Sequence, residues 1–459
     1  MKRTVIFVLT LAILLNSSFA ATLICVRAEA SESLPVHNMN TGLDYSTIQA
    51  SVDADETVNG HTILVDAGTY REHIVVSKSL ALIGNGSSAT TIDGIGTGAV
   101  VTVATDNVLI RGFSIINGLF GILLNHSSNC SLVENRVAGI TDFYAVYASY
   151  SDNCTIEGNL VGPNSCSGIL VTNSLNFTIL GNYVHENEGY GLNANASMDG
   201  LMTQNYALNN SYDGIGLGRG CRNCTITLNN VSDNRLYGLW LDSDSVDNLI
   251  YDNNVINNDR QVSVFLANRW DNGFEGNFWS NYKSVDEDHN GIADVPAVLG
   301  NNNIDNYPLM GSLSIFSTSL GFTVNVISNS SITSFQYYDS NGTIRMGIGD
   351  PMKPGDYGFC RMLIPHSLMT EPYNTTVDGA NPFYWNYTLL EDGKDRWIYF
   401  AYQGSPHTLM IRGTPPPREE GFPWLLVITA IAAMAVVASA ILVYHRKRRK
   451  KSGQMSQQV

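Results

Sequence analysis

A repeat of about 23–24 residues restricts this chain more than any other feature. Taking an Asn or Asp as the opening residue, units begin at Asn107, Asn129, Asn153, Asn176, Asp199, Asn223, Asp247 and Asp271. A period of this size, sustained over many units, specifies a solenoid in which each unit buries its apolar side only against its neighbours. Six residues after the opener stands an Asn in seven successive units: Asn135, Asn159, Asn182, Asn205, Asn229, Asn253 and Asn277. Three residues after it the chain is apolar, at Leu132, Ile156, Ile179, Met202, Ile226, Ile250 and Phe274. Eight residues after it lie Val137, Val161, Val184, Ala207, Val231, Val255 and Trp279, and Gly168, Gly191, Gly214 and Gly238 form a further column. Apolar and polar positions alternate with a period of two, so the units are built from short strands rather than helices.

Stacking such units sets equal positions above one another at about 4.8 Å. An Asn column then forms an amide ladder, because each carboxamide both donates and accepts. Asn and Gly also tolerate the left-handed backbone that corners demand. Cys130, Cys154 and Cys224 each follow an opener directly, an inward position, and read as small buried hydrophobes. Cys221 and Cys224 have CxxC spacing, but no second such pair accompanies them. Upstream, Thr47 to Val52 forms a short amphipathic helix that covers the open end of the solenoid, and His61 to Val65 forms a strand.

The two ends predict export and anchoring. Lys2-Arg3, the apolar run Val5 to Leu15 and the small-residue site Ala28-Glu29-Ala30 have the three parts of a secretory signal, residues 1–30. Trp424 to Tyr444 carries no charge and is long enough to cross a ~30 Å hydrocarbon layer. A basic run, Arg446 to Lys451, follows it. The positive-inside rule places that tail (445–459) in the cytoplasm and everything before the span (423–444) outside. The net charge is −15; the ends hold eight positive charges and no acids, so the remainder carries about −23. Such a surface repels nucleic acid and is compatible with cations, basic partners or neutral glycans.

Local sequence then resembles a known family. Tyr45-Ser46-Thr47-Ile48-Gln49, Asp66-Ala67-Gly68-Thr69-Tyr70 and Lys78-Ser79-Leu80 are similar to right-handed parallel β-helix proteins of the NosD-like and carbohydrate-binding type. Gly276 to Tyr282 and Asn306-Tyr307-Pro308-Leu309 resemble the terminal cap of NosD-like repeats in archaeal and bacterial surface proteins. The resemblance implies an all-β fold, with the β-helix and its N-terminal cap over 31–310. It leaves activity open, because this fold hosts lyases, hydrolases, epimerases, adhesins and accessory factors for metal-site assembly. The last of these would imply copper, for which His73, His126 and His185 offer no clustered ligand set.

From 311 to 413 the period stops. Alternating strands separated by turn signals at Ser340-Asn341-Gly342 and Asp392-Gly393 predict a small antiparallel β-sandwich, followed by a stiff linker over 414–422. Three groups of candidate site residues remain. Asp286, Asp288, Asn290 and Asp294, with the Ile292 carbonyl and a sharp turn at Gly291, have the oxygen-rich spacing of a Ca²⁺ loop. Tyr190, Asp213 and Tyr237 stand just before the Gly column, aligned with Phe143 and Ser167 before them and Gln261 after. Trp240 and Asp242 lie close by; aromatic rings beside carboxylates suit carbohydrate. Among many sequons, Asn341, Asn374 and Asn386 fall outside the repeat and are the preferred glycosylation sites. The reading that fits best is a non-catalytic, single-pass surface protein that binds polysaccharide or surface glycoproteins. The alternatives are a polysaccharide-active hydrolase, lyase or epimerase, with Asp213 and Asp242 as conceivable acid and base, and a NosD-like accessory factor.

Overall fold

The computed structural model describes residues 34–300, 302–351, 357–389, 395–403 and 406–415. The predicted signal, span and tail, and most of the linker, lie outside them. Among the described residues no helix is long and apolar enough to cross a membrane.

The repeat folds as a right-handed parallel β-helix. Each coil gives one short strand to each of three sheets, which contain 11, 10 and 9 strands. In the coil opened by Asn129, Ser131–Val133 joins the first sheet, Arg136–Ala138 the second and Tyr144–Ser149 the third. The predicted inward column of the first sheet is in register: Leu132 pairs with Ile156, Ile156 with Ile179, Ile179 with Met202, Met202 with Ile226 and Ile226 with Ile250. All are buried, as are Val137, Val161, Val184, Ala207, Val231 and Val255 from the second sheet.

The Asn column is the predicted ladder. The Asn135 amide donates to Asn159, Asn159 to Asn182, Asn182 to Asn205, Asn205 to Asn229, Asn229 to Asn253 and Asn253 to Asn277, at 2.9–3.1 Å. Each side-chain oxygen also accepts the backbone N–H of the residue below, as Asn205 does from Asn182 at 2.9 Å. A second amide ladder, not foreseen from the sequence, runs Asn164, Asn187, Asn210, Asn234, Asn258 at 2.8–3.0 Å. At a third corner Ser127, Ser151 and Ser174 each donate a backbone N–H to the next hydroxyl, of Ser151, Ser174 and Ser197. The Asn and Asp openers serve differently. Asn129, Asn153, Asn176, Asp199, Asn223 and Asp247 all have φ between 52° and 62°, the left-handed corner for which short polar side chains are suited. The six described cysteines are buried and unbridged; Cys221 and Cys224 lie within the core.

The ends close as capped solenoids must. Helix Ile48–Asp53 lies over the first coil, with the Thr47 hydroxyl accepting from Ala50 and the Glu72 carboxylate accepting the N–H groups of Ile48 and Gln49. At the far end the repeat departs from prediction. Phe274 does not continue the inward column; it is 67% exposed, and Trp270 fills that place instead, buried against Trp279 at 5.9 Å between ring centroids. The coil reaches its core position after 20 residues from Ile250 rather than 24, and 271–276 forms a surface loop. Asp305 then receives the ladder, accepting from the Asn277 backbone N–H at 2.8 Å and the Trp279 indole at 2.9 Å.

The predicted sandwich has a five-stranded antiparallel sheet containing Ser312–Ser317, Thr323–Ser328, Tyr357–Pro365, Asp395–Gln403 and Tyr384–Leu389. A four-stranded sheet contains Ser330–Tyr338, Thr343–Pro351, His407–Thr414 and Thr370–Val377. Val326, Ile344, Met362, Ile398, Phe400 and Leu409 form its core.

Replacing one ladder amide should be costly, because a buried backbone N–H at the corner loses its acceptor. Asn205→Ala orphans the Asn182 backbone N–H and removes the bonds to the Asn182 amide and the Ile179 carbonyl, and should lower stability by on the order of 3 kcal/mol. A denaturant midpoint unchanged from wild type would show that the ladder does not hold the coils together.

Candidate functional site

Parallel register carries the second candidate group onto one surface, the outer face of the third sheet. Backbone bonds from Gly168 to Tyr190, Gly191 to Asp213 and Gly214 to Tyr237 stack those three residues on successive coils, as the sequence predicts. The ends of the column differ by one residue: Ser167 pairs with Tyr144 rather than Phe143, and Tyr237 with Arg260 rather than Gln261. The cause is local, since the flanking coils enter the third sheet one residue out of step with the repeat.

Trp240 belongs to a parallel outer column, Leu123, Tyr147, Leu170, Asn193, Gly216, Trp240. From Tyr147 to Trp240 it crosses four coil steps, roughly 19 Å. At one end Tyr147 packs with Tyr144 and Phe120, at 5.3 and 6.0 Å between ring centroids. At the other, strand Ile215–Gly218 presents two glycines outward. A Cβ on Gly218 would stand 3.1 Å from the Trp240 ring, and one on Gly216 would stand 2.7 Å from Asn193 Oδ1. The glycines let the Asn193 amide lie over one of them, and the Asn195 amide and the Trp240 indole over the other.

The predicted sugar-binding residues are not equivalent within this face. Tyr190 keeps an exposed edge beside Tyr212, 5.1 Å away. Tyr237 is covered by Arg260, whose guanidinium bonds its hydroxyl at 3.1 Å. Asp213 is only 2% exposed and accepts the Tyr237 N–H at 3.2 Å; burial pushes its carboxyl up to about 6. For Asp242, burial acts upward, but bonds from the Ser245 hydroxyl and the N–H groups of Arg219 and Asp244 outweigh it, and the carboxyl sits below its ordinary range. Asp242 is thus the brace of its own turn. It lies five residues along the chain from Tyr237, which stacks on Asp213, so the backbones of Asp213 and Asp242 are roughly 17 Å apart at strand spacing. Acid–base pairs of glycosidases stand about 5–9.5 Å apart. Sequence reasoning missed Asn193, Tyr144 and Tyr147, although the two glycines within one strand were a signal for a close approach. It also missed a polar cleft of about 510 Å³ at the corner before the third sheet, lined by Glu186, Glu188, Asn209, Ser211 and Arg235.

The loop proposed for Ca²⁺ has a different set of partners. Asp286 accepts the N–H groups of Asn290 and Gly291, both at 2.9 Å, and Asp294 accepts that of Glu287 at 2.7 Å. Asn290 bonds Asp288 and the Ile292 N–H, both at 2.7 Å. Ile292 is buried in an apolar cluster with Leu309, Phe359, Trp397 and Tyr399, which joins solenoid and sandwich. His289 packs on Tyr384 and Tyr399, and a Cβ on Gly291 would lie 2.8 Å from the Arg361 side chain. The loop therefore docks the sandwich. Beside it the Arg361 guanidinium bonds Glu275 at 2.6 Å and lies 3.7 Å from the centre of the Trp397 ring. Asp252 faces Glu275; burial, and then the Glu275 charge, push it up to about 8, and one of its oxygens has no partner. Among the described residues no group of three or more His, Cys, Asp or Glu could hold a metal. Asn341, Asn374 and Asn386 are all exposed in the sandwich.

Comparison with known proteins agrees with this architecture. Residues 76–284 match the family described as periplasmic copper-binding protein (NosD), and the solenoid is a NosD-like parallel β-helix. A cell surface glycoprotein of Methanothermus fervidus is 36% identical over 103 residues, which cover 22% of this chain; the chain spans only 17% of that protein's length. Among solved structures, the A-module of mannuronan C-5 epimerase AlgE6 from Azotobacter vinelandii is 14% identical, with a TM-score of 0.31, covering 48% of this chain and 92% of that one. An alginate lyase from a Paenibacillus species is 12% identical, with a TM-score of 0.31, covering 48% and 94%.

The junction predicts a pH dependence. Asp252 titrates higher in the folded protein than in an unfolded chain, where a carboxyl has a pKa near 3.9. Its contribution is complete below that value and is lost as pH rises through about 8. The melting temperature should fall between pH 6 and pH 9, and Asp252→Asn should remove much of the fall. An equal fall in the variant would place the effect elsewhere.

Proposed function

We propose that this surface β-helix protein binds glycans on the outer face of its third sheet and does no chemistry on them. The observation that carries the reading is the convergence of the Trp240 indole and the Asn193 amide over Gly216 and Gly218. A ring face with nearby hydrogen-bonding groups, set on rigid strands, fits the apolar face and hydroxyls of a pyranose. The strip between Tyr147 and Trp240 is long enough for an oligosaccharide. The spacing of Asp213 and Asp242 argues against the hydrolase reading, because neither carboxyl reaches the other across a glycosidic bond. Likewise the copper in the NosD description has no supporting ligand set among the described residues, so metal-site assembly is not favoured.

The sandwich then serves as a spacer, docked on the last coils through Ile292, Trp397 and the Arg361–Glu275 pair. Residues 423–444 would span the membrane once, leaving the solenoid outside and 445–459 in the cytoplasm. The similarity to a cell surface glycoprotein supports the surface location. Ca²⁺ is the ion proposed for Asp286, Asp288, Asn290, Asp294 and the Ile292 carbonyl, where it would stiffen the docking loop.

Two experiments test these assignments. On an array of neutral and acidic polysaccharides the protein should bind at least one class, release no shortened or unsaturated products, and lose affinity at least tenfold on Trp240→Ala. Product release would establish an enzyme; an empty array would remove the glycan reading. For the loop, Ca²⁺ should raise the melting temperature of the wild type and not of Asp288→Ala, and a wild type indifferent to Ca²⁺ would dispose of the ion.

A further inference from the structure

The openers of the repeat are set apart from its buried ladders by exposure. Asn107, Asn129, Asn153, Asn176, Asp199, Asn223 and Asp247 all take the left-handed corner. Of these, Asn129, Asn153, Asn176 and Asn223 are exposed, whereas the ladder amides are buried. After each of the four the next residue turns inward, as Cys130, Cys154, Phe177 or Cys224. The one after that, Ser131, Thr155, Thr178 or Thr225, faces outward on the first sheet. Asn and a hydroxyl thus meet solvent in the order Asn-x-Ser/Thr, the acceptor pattern of N-glycosylation. The corner itself does not require that combination. Asp199 and Asp247 adopt the same backbone, and two residues after them stand Leu201 and Leu249 in the same outward column. From Leu109 to Leu249 every hydroxyl in that column follows an Asn, and neither Asp is followed by one. The hydroxyls have no structural task either, since none of the four makes a hydrogen bond among the described residues.

We infer that Asn129, Asn176 and Asn223 carry N-linked glycans, one on every second coil, and that Asn153 between them stays bare. This modification requires the solenoid to lie outside the membrane and is independent of what the third sheet binds. In the transfer, Asn Nδ2 forms a bond to the anomeric carbon of an oligosaccharide carried on a lipid phosphate. The bond from that carbon to the phosphate oxygen breaks, the lipid phosphate leaves with the bonding pair, and one Nδ2 proton passes to a base. The alternation follows from spacing. Successive openers stand one coil step apart, about 4.8 Å, less than the width of a pyranose with its substituents. Asn129, Asn176 and Asn223 are each two steps apart, roughly 10 Å. The amides fit the same pattern. Asn176 Nδ2 donates to Asn153 Oδ1 at 2.8 Å, and a glycosylated amide keeps one N–H for that bond. Leu175 and Met198 bridge each other at this corner, 43% and 41% exposed, directly before Asn176 and Asp199. A glycan on Asn176 covers these side chains with the apolar faces of its sugars. Two other sequons of the solenoid are unsuited: Asn230 has its Oδ1 buried, and the Asn195 amide lies over Gly218 beside the Trp240 ring.

The test maps glycopeptides by mass spectrometry on the full chain isolated from the membranes of the organism that makes it, with variants expressed in the same organism. Asn129, Asn176 and Asn223 should be modified on most copies, and Asn153, Asn195 and Asn230 at least tenfold less often. Asn223→Asp keeps the corner backbone that Asp199 and Asp247 use, so it should fold and lose the mass of one glycan. Thr225→Ala should lose the same glycan, and Thr225→Ser should keep it. Glycans on Asn341 or Asn374 with Asn129, Asn176 and Asn223 bare would overturn the inference, because the transferase would have met the chain and passed over the corner. Modification of Asn153 as often as its neighbours would defeat the alternation. A glycan kept on Asn223 in Thr225→Ala would show that the Asn-x-Thr pattern is not its cause. A chain bare at every sequon would overturn the modification and count against a surface location as well.

Discussion

The buried carboxamide ladder is the interaction on which the rest of the structure depends. A parallel coil has little to fix its height against the next one except backbone bonds along three short strands, many only three residues long. An Asn at the same place in each coil adds a side-chain bond in the axial direction and closes the orphaned N–H at the corner. Because each amide oxygen accepts both the side chain and the backbone N–H of the preceding Asn, a missing member leaves that N–H without its acceptor. The ladder also forces the register of everything outside it. Once Asn182 stands on Asn205 and Asn187 on Asn210, residues following at fixed offsets must stack too, and Tyr190 and Asp213 are carried onto adjacent coils.

A ladder of this kind needs a terminator, and that requirement shapes the C-terminal end of the solenoid. Asp305 accepts where the next Asn would have accepted, and burial raises its carboxyl to about 6. Gly276 is the accompanying constraint, since a Cβ there would coincide with the Asp305 carboxylate. The loop between Trp270 and Asn277 then brings Glu275 to the surface of the last coil, where Arg361 of the sandwich meets it. Breaking a buried pair of this sort is far costlier than its net contribution, which makes it a device of orientation more than of stability. With His289 and Ile292 added, the sandwich is held by charge, ring stacking and apolar burial at one junction.

Much of this was legible because Asn does two separable jobs in the repeat. At the openers it is chosen for its backbone, and the left-handed φ of Asn153 and Asn176 bears that out. Six residues later it is chosen for its amide. The sequence shows both as columns without saying which is which, and the second ladder from Asn164, equally regular, is a column that the alignment on the openers did not single out. Phe274 misled for a related reason. It holds the apolar place in the column, but the last coil has no further coil to stack on, and the cap recruits Trp270 four residues earlier. Periodicity predicts interiors of solenoids well and their ends badly, because an end answers to a cap rather than to a neighbour.

The candidate site was half legible by the same logic. Aromatic and acidic residues drew attention to Tyr190, Asp213, Tyr237, Trp240 and Asp242, and register does bring them to one face. Chemistry alone could not sort them. Tyr237 is occupied by Arg260 and Asp242 by its own turn, facts that depend on which neighbour's side chain bends over which strand. Asn193 passed unnoticed because Asn is common in this chain and an unremarked Asn looks like another corner. Its distinction is negative, an amide oxygen left without a partner outside both ladders, which it shares with Asn230, and only geometry can show that. The outward positions of a β-helix are those its repeat leaves free, so departure from the column is the better guide to function there. By that criterion Asn193 between Leu170 and Gly216, and Trp240 after the two glycines, stand out more clearly than the conspicuous carboxylates.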